Sequence, residues 1–152
     1  AADHDQLILV HTPHLEDKLK GTRLILDALK NHSRIQPDRV IIDHVEEHTA
    51  KPVLDRGFWC GMTLYPDTKC TPQRAVDIIE TYGAERIWMN SAGDWGHSDP
   101  IAVPKAQMEM RRRGHLESLV KQVTYGNPLR FLSQSGRFSA DPLRPTAPDI
   151  TR

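Results

Sequence analysis

The sequence lacks the features that mark several large classes of protein. No apolar stretch approaches the ~20 residues that a membrane-spanning helix needs. No GxSxG, HExxH or glycine-rich phosphate-binding motif occurs. The chain has two cysteines, Cys60 and Cys70, and they do not form a CxxC pair. Nothing in the sequence therefore indicates a membrane-spanning protein, a serine hydrolase, a zinc finger or a P-loop nucleotide-binding protein.

The chain also lacks an excess of charge of either sign. Lysine and arginine together number 20, as do aspartate and glutamate, so no net field favours nucleic acid or acidic lipid. The first residues lack the basic start and apolar centre of a signal peptide, and the spacing of the cysteines favours free thiols in a reducing compartment. We therefore expect a soluble, cytoplasmic protein that binds neither nucleic acid nor membrane.

Four short apolar runs recur along the chain, each followed by helical periodicity. The predicted strands are 7–10, 40–42, 58–64 and 86–90, and the predicted helices are about 14–31, 49–56, 71–82, 103–113 and 116–125. Thr71 and Pro72 suit the N-cap and first position of the third helix, and Gly83 suits its end. Strands that are apolar throughout are typically buried on both faces, so we predict an α/β fold with parallel strands covered by helices.

Four βα units amount to half of a TIM-type (β/α)8 barrel, which typically needs about 250 residues. We predict that residues 1–138 of the 152-residue chain form this half-barrel. Residues 139–152, which are rich in proline and polar side chains, are expected to form an extended or disordered tail. An open four-stranded sheet leaves two apolar edge strands uncovered. We therefore expect a homo-oligomer, or a missing N-terminal half-barrel that completes the fold.

Three potential metal ligands follow the predicted strands. His11 comes after the first strand, His44 after the second, and Asp94 shortly after the fourth. The carboxyl ends of parallel strands face one common surface, so these side chains can converge there. Imidazole and carboxylate groups hold hydrolytic metals, and an aspartate beside such a metal can also act as the general base. The alternative is a capping role for His11 and for Asp94, although Asp99 suits the capping of the next helix better.

Several neighbouring residues are weaker candidates. Asp43 and Glu46 could orient His44 or a bound water. Four residues that follow the third strand could contact a substrate, namely Thr63, Tyr65, Asp67 and Lys69. Lys69 could bind an anion, but it is also typical of an ordinary surface lysine. The remaining histidines of these segments suit helix starts or the rim of a site better than ligation, namely His14, His48 and His97.

Five segments in consistent order, between about residues 7 and 138, resemble the TatD-related metal-dependent hydrolases of the amidohydrolase superfamily. They are LVHTPHLEDK, IIDHVEEHT, GFWCGMTLYPDTK, ERIWMNSAGDWGHSDP and YGNPLRFLSQSGRF. The resemblance implies a (β/α)8 barrel that binds one or two divalent metals, zinc or manganese in particular, and acts on a small molecule. By position, His11 resembles the family's histidine after strand five, His44 the histidine after strand six, and Asp94 the aspartate after strand eight.

The HxH pair that this family carries after its first strand occurs nowhere in the sequence. The resemblance therefore implies the C-terminal half of a barrel. Our leading hypothesis is a metal-dependent hydrolase that cleaves an ester, amide or phosphoester bond with a metal-activated water. The alternative is a non-catalytic half-barrel that serves as a binding or assembly module.

Overall fold

The fold is built on one parallel sheet of four strands. A computed structural model describes residues 4, 6–12, 17–93 and 96–139. The strands lie side by side in chain order and are β1 (Ile8–His11), β2 (Val40–Asp43), β3 (Trp59–Leu64) and β4 (Ile87–Ser91). All neighbouring pairs are parallel, so the carboxyl ends of the strands lie along one edge of the sheet. The predicted α/β fold is confirmed, and it is consistent with four βα units of a barrel.

Helices follow the strands in alternation. They are α1 (Lys18–Lys30), a 3-10 turn (Pro37–Arg39), α2 (Glu47–Leu54), α3 (Pro72–Tyr82), α4 (Ala102–Arg112), α5 (Glu117–Lys121), a π-helical turn (Gln122–Gly126) and α6 (Asn127–Leu132). The start of α3 is as predicted, because the Thr71 side chain accepts a hydrogen bond from the backbone N–H of Arg74 and Pro72 is the first helical residue. The end is also as predicted, since Gly83 follows with a φ of 82°.

The prediction that the last helix ends at Tyr125 is wrong. The chain passes from α5 through the π-helical turn directly into α6, so helical structure continues to Leu132. Pro128 lies in the first turn of α6, a position that tolerates the missing backbone N–H, so the helical path continues.

Two apolar clusters hold the sheet, one on each face. The larger cluster lies between the sheet and its covering helices and includes Val40, Ile42 and Met62. The smaller cluster consists of Ile41, Trp59, Trp88 and Phe131, with Phe131 supplied by α6. The Phe131 ring meets both tryptophans edge-on, at centroid distances of 5.6 and 5.2 Å. We call the face that carries this smaller cluster the inner face. By strand alternation, Leu9, His11, Asp43, Thr63 and Asn90 also belong to the inner face.

The edge strand β1 is less buried than the sequence indicates. β2 and β3 are almost fully buried, as predicted, but exposure alternates along β1 and Leu9 is 62% exposed. The prediction that all four strands are buried on both faces is therefore wrong for β1. The physical reason is that β1 is an edge strand, which pairs only with β2 among the described residues. Its partly buried residues Ile8 and Val10 pack towards the helices, while Leu9 faces the other way.

The structure also bears on the two cysteines, on membrane-spanning helices and on the C-terminal residues. Both cysteines are free and buried, as expected, and burial raises the pKa of the Cys70 thiol to about 12, which makes it unreactive. Within the described ranges, no helix has the length and apolar character needed to cross a membrane. Residues 140–152 lie outside the described residues, so the predicted tail stays a prediction.

Candidate metal centre

Two of the three predicted ligands meet at the carboxyl edge of the sheet. Nδ1 of His11 lies 2.6 Å from Nε2 of His44, and the two ring centroids are 4.6 Å apart. His11 ends β1 and pairs in register with Asp43, the residue before His44, so the pairing of the two strands brings the imidazoles together. Asp94, the third predicted ligand, lies outside the described residues, and its place in the site stays a prediction.

Asp43 adds a carboxylate to the two imidazoles. One ligand atom from each of His11, Asp43 and His44 can be chosen such that all three lie within 4.8 Å of one another. Oδ1 of Asp43 accepts hydrogen bonds from the backbone N–H of His44 at 2.8 Å, the Thr63 hydroxyl at 2.9 Å and the Asn90 side-chain amide at 3.4 Å. The centre is therefore tied to all four strands.

Asp43 was expected only to orient His44 or a water, and Asn90 was not expected to be a functional residue. A signal for both was available in the strand alternation, which places them on the same face as His11. Asp43 pairs with His11 in register, and Asn90 pairs with Thr63. Polar side chains on one face at the carboxyl ends of adjacent parallel strands are candidates for a shared site.

The backbone at His44 has a rare conformation. Its φ is 63°, the only left-handed value at a non-glycine residue in the described part of the chain. Such a conformation typically costs about 1–3 kcal/mol and persists only where the surroundings hold it. In a regular strand, Asp43 and His44 would point to opposite faces. The left-handed turn instead lets both side chains reach Thr63, and a hydrogen bond of 2.9 Å from the Val45 N–H to the Gly61 carbonyl fixes the turn.

Gly61 makes room for the Asp43 carboxylate. A Cβ atom at Gly61 would lie 2.8 Å from Oδ1 of Asp43, 3.1 Å from Cδ1 of Ile41 and 3.3 Å from Cα of Asp43. The first of these distances is shorter than a carbon–oxygen van der Waals contact. A glycine inside this buried strand is therefore required by the position of Asp43 rather than by backbone conformation.

His44 is neutral at physiological pH. It is only 8% exposed, and burial lowers its pKa from the ordinary value of 6.5 to about 4. The positive charges of Lys69 and Lys18 act in the same direction, while the carboxylate of Asp43 opposes the shift. A neutral imidazole is the form that binds a metal ion.

The three side chains fit a divalent metal. Two imidazoles and a carboxylate are a typical donor set for hydrolytic zinc, and two nitrogens that share a tetrahedral zinc lie about 3.3 Å apart. The observed separation of 2.6 Å is shorter, but His11 is exposed and has room to move. The described residues therefore contain a group that can hold a metal, with Asp43 as a candidate ligand beside His11 and His44.

A layer of ion pairs supports the loop after His44. Arg74 binds Glu47 through two hydrogen bonds of 2.6 and 2.7 Å, which lower the pKa of the Glu47 carboxyl, and it also contacts Glu46 at 3.3 Å. Glu46 additionally pairs with the buried Lys18 of α1. Glu46, Glu47 and His48 are close enough to form a second metal-binding group, but these cations already neutralise the two carboxylates. We therefore assign this layer a structural role.

The remaining candidates lie at the rim or in structural positions. His97 binds Asp67 at 2.9 Å and is 73% exposed, in agreement with the rim position that the sequence indicates. Asp99 accepts a hydrogen bond from the Ile101 N–H just before α4. The N-cap of α4 is Ile101 and the helix has no side-chain capping bond, so the predicted capping role of Asp99 is wrong. Lys69 lies over the Tyr65 ring, with 5.6 Å between its Nζ and the ring centroid. His14 lies outside the described residues.

Comparison with known proteins supports this assignment at a coarse level. The chain is 30% identical over 133 residues to an uncharacterized metal-dependent hydrolase of Methanocaldococcus jannaschii. It is a distant relative of a metal-dependent hydrolase. The match covers 86% of this chain and 51% of that protein, so the chain spans about half the length of the curated relative. No family model matches the chain, and no solved structure matches it significantly.

Proposed function

We propose that this chain is the metal-binding half-barrel of a TatD-like metal-dependent hydrolase of the amidohydrolase superfamily. The observation that carries the proposal is the meeting of the His11 and His44 nitrogens, 2.6 Å apart, at the carboxyl ends of adjacent strands. Asp43 places a carboxylate beside them. The named relative supports metal-dependent hydrolysis in general, and the resemblance of the sequence segments supports the finer family assignment.

Each residue has a distinct part in the proposed reaction. A divalent metal, zinc or manganese, would polarise the substrate and lower the pKa of a coordinated water towards neutrality. His11 and His44 would hold the ion, and burial keeps His44 in the neutral form that a metal can bind. Asp94, which the sequence alone assigns to the site, would be a further ligand and would take the proton of the attacking water. The substrate is a small molecule with an ester, amide or phosphoester bond.

Zinc and manganese titration by calorimetry tests the ligand assignment. We expect His44→Ala to weaken binding roughly 100-fold or more, because even residues that only support a ligand typically contribute 10–100-fold. Asp94→Asn should weaken binding as well. The matched control is His97→Ala, which removes an exposed imidazole bound to Asp67. Equal affinities for the wild-type protein and His44→Ala would contradict the assignment.

A non-catalytic binding or assembly module is the second candidate, and the lack of any HxH pair in the sequence favours it. Assays of the zinc-loaded chain with nitrophenyl esters, anilides and phosphoesters discriminate between the two. Hydrolysis that is lost in Asp94→Asn supports the hydrolase. Metal binding without hydrolysis of any of these substrates, by the chain alone or together with an N-terminal half-barrel, supports the module.

We further propose that the open edge of β1 is covered in the assembled protein. Leu9 is 62% exposed on the inner face of this edge strand, and β1 pairs with one neighbour in the described sheet. Unpaired edges attract further strands. The covering element is a second copy of the chain or an N-terminal half-barrel. Light scattering distinguishes these two elements, because only pairing with a second copy makes the isolated chain a dimer. In that case Leu9→Lys should weaken the dimer.

A further inference from the structure

A buried hydroxyl links the imidazole of His44 to the carboxylate of Asp43. We propose that this hydroxyl, on Thr63, fixes His44 in the tautomer that carries its hydrogen on Nδ1 and so leaves Nε2 free to bind a metal. Thr63 is then a positioning residue, which acts through His44. The part of the inference that concerns metal rests on the proposed function, whereas the tautomer assignment does not.

The contacts of Thr63 allow one arrangement of hydrogens. Its Oγ1 atom lies 2.9 Å from Oδ1 of Asp43 and 2.8 Å from Nδ1 of His44. Thr63 is 2% exposed, so the hydroxyl has no ready access to solvent as an alternative partner. A hydroxyl has one hydrogen to donate, and an ionised carboxylate can only accept. Only Thr63 can supply the hydrogen between its own oxygen and Oδ1 of Asp43, whereas the hydrogen between Oγ1 and Nδ1 can come from the imidazole. The Thr63 hydrogen therefore goes to Asp43, and the hydroxyl oxygen accepts the hydrogen on Nδ1 of His44.

Asp43 does not orient the ring directly. Its second oxygen, Oδ2, lies 3.7 Å from Nδ1 of His44, which is too long for a hydrogen bond. The carboxylate instead acts on the ring through Thr63, because it fixes the direction in which the Thr63 hydroxyl points. The Asn90 amide and the His44 N–H donate to the same carboxylate oxygen and hold it in place.

The arrangement continues to His11. With its hydrogen on Nδ1, His44 presents a bare Nε2 to Nδ1 of His11, 2.6 Å away. In the metal-free protein Nδ1 of His11 must then donate, so the hydrogens all point from His11 through His44 and Thr63 towards Asp43. The nitrogen that a metal would bind is thus already unprotonated on the buried ring. Any proton rearrangement on metal binding falls on the exposed His11.

Nitrogen-15 NMR of the metal-free chain, labelled at histidine, tests the inference directly. The ring nitrogen shifts at pH 8 report which nitrogen of neutral His44 carries the hydrogen, and the spectrum of His44→Gln identifies the His44 signals. The test variant is Thr63→Val, which keeps the size of the side chain and removes its hydroxyl. Thr63→Ser restores the hydroxyl. Thr12→Val is the matched control, because the buried Thr12 hydroxyl donates to the Asp43 carbonyl instead of the imidazole.

We expect the wild-type protein, Thr63→Ser and Thr12→Val to show His44 with its hydrogen on Nδ1. Thr63→Val should shift His44 towards the Nε2–H form and weaken zinc binding about 10–100-fold. A wild-type His44 with its hydrogen on Nε2, or an unchanged tautomer in Thr63→Val, would overturn the inference. Thr63→Ala replaces Thr63→Val if valine prevents folding. Failure of zinc to bind the wild-type chain, with the tautomer results as expected, would overturn the proposed function and support the tautomer assignment.

Discussion

Replacement of Gly61 by alanine should disturb both the sheet and the candidate metal centre. The added Cβ would lie 2.8 Å from Oδ1 of Asp43 and 3.3 Å from its Cα, so either the side chain or the strand must move. Overpacking of this kind typically costs about 1–3 kcal/mol. If the carboxylate turns away, its hydrogen bonds are lost as well, at about 1.5–3 kcal/mol for a bond to a charged group.

One effect opposes this loss. Alanine restricts the unfolded chain more than glycine does, which typically stabilises the folded state by about 0.4–1 kcal/mol. We therefore expect Gly61→Ala to lower the free energy of unfolding by about 1.5–5.5 kcal/mol. Because the displaced carboxylate no longer orients Thr63 and His44, zinc affinity should fall in the same variant.

Urea unfolding of the metal-free chain measures the effect. The matched control is Gly136→Ala, since a Cβ at Gly136 would meet nothing within 4 Å and its φ is outside the left-handed region. The control should change the free energy of unfolding by no more than about 0.5 kcal/mol. If Gly61→Ala is as stable as Gly136→Ala and binds zinc as well as the wild-type chain does, the close approach of Gly61 and Asp43 is refuted.

Two further predictions concern pH and packing. His44 has a folded-state pKa of about 4 and an ordinary value of 6.5, so the unfolded chain gains a proton first as the pH falls. The metal-free protein should therefore lose stability as the pH falls from 6.5 to 4, by up to about 1.4 kcal/mol per pH unit. Urea unfolding of His44→Gln should lack this pH-dependent loss. Identical pH profiles of the wild-type protein and the variant would contradict the prediction. Phe131→Ala should lower the free energy of unfolding by about 3–5 kcal/mol and change the fluorescence of Trp59 and Trp88, because the buried Phe131 ring contacts both tryptophans. An unchanged midpoint of urea unfolding would contradict this packing role of α6.

The sequence by itself determined the order and the approximate positions of the four strands and of helices α1 to α5, but not of α6. Apolar runs and helical periodicity reflect local burial. Capping residues act within a few residues of themselves, since the Thr71 side chain accepts a hydrogen bond from an N–H of the first turn of α3 and Gly83 ends that helix. For the same reason, the positions of His11 and His44 at strand ends were visible in the sequence. Their convergence then followed from the rule that parallel strands align their carboxyl ends.

Only the tertiary structure decided which side chains complete the centre. Thr63 and Asn90 reach the Asp43 carboxylate from positions 20 and 47 residues further along the chain. These contacts depend on strand register, on the left-handed turn at His44 and on the space left by Gly61. No local pattern records such a combination, because each condition involves residues on different strands. The packing of Phe131 of α6 against the inner face and the exposure of Leu9 on the edge strand likewise depend on which elements become neighbours when the chain folds.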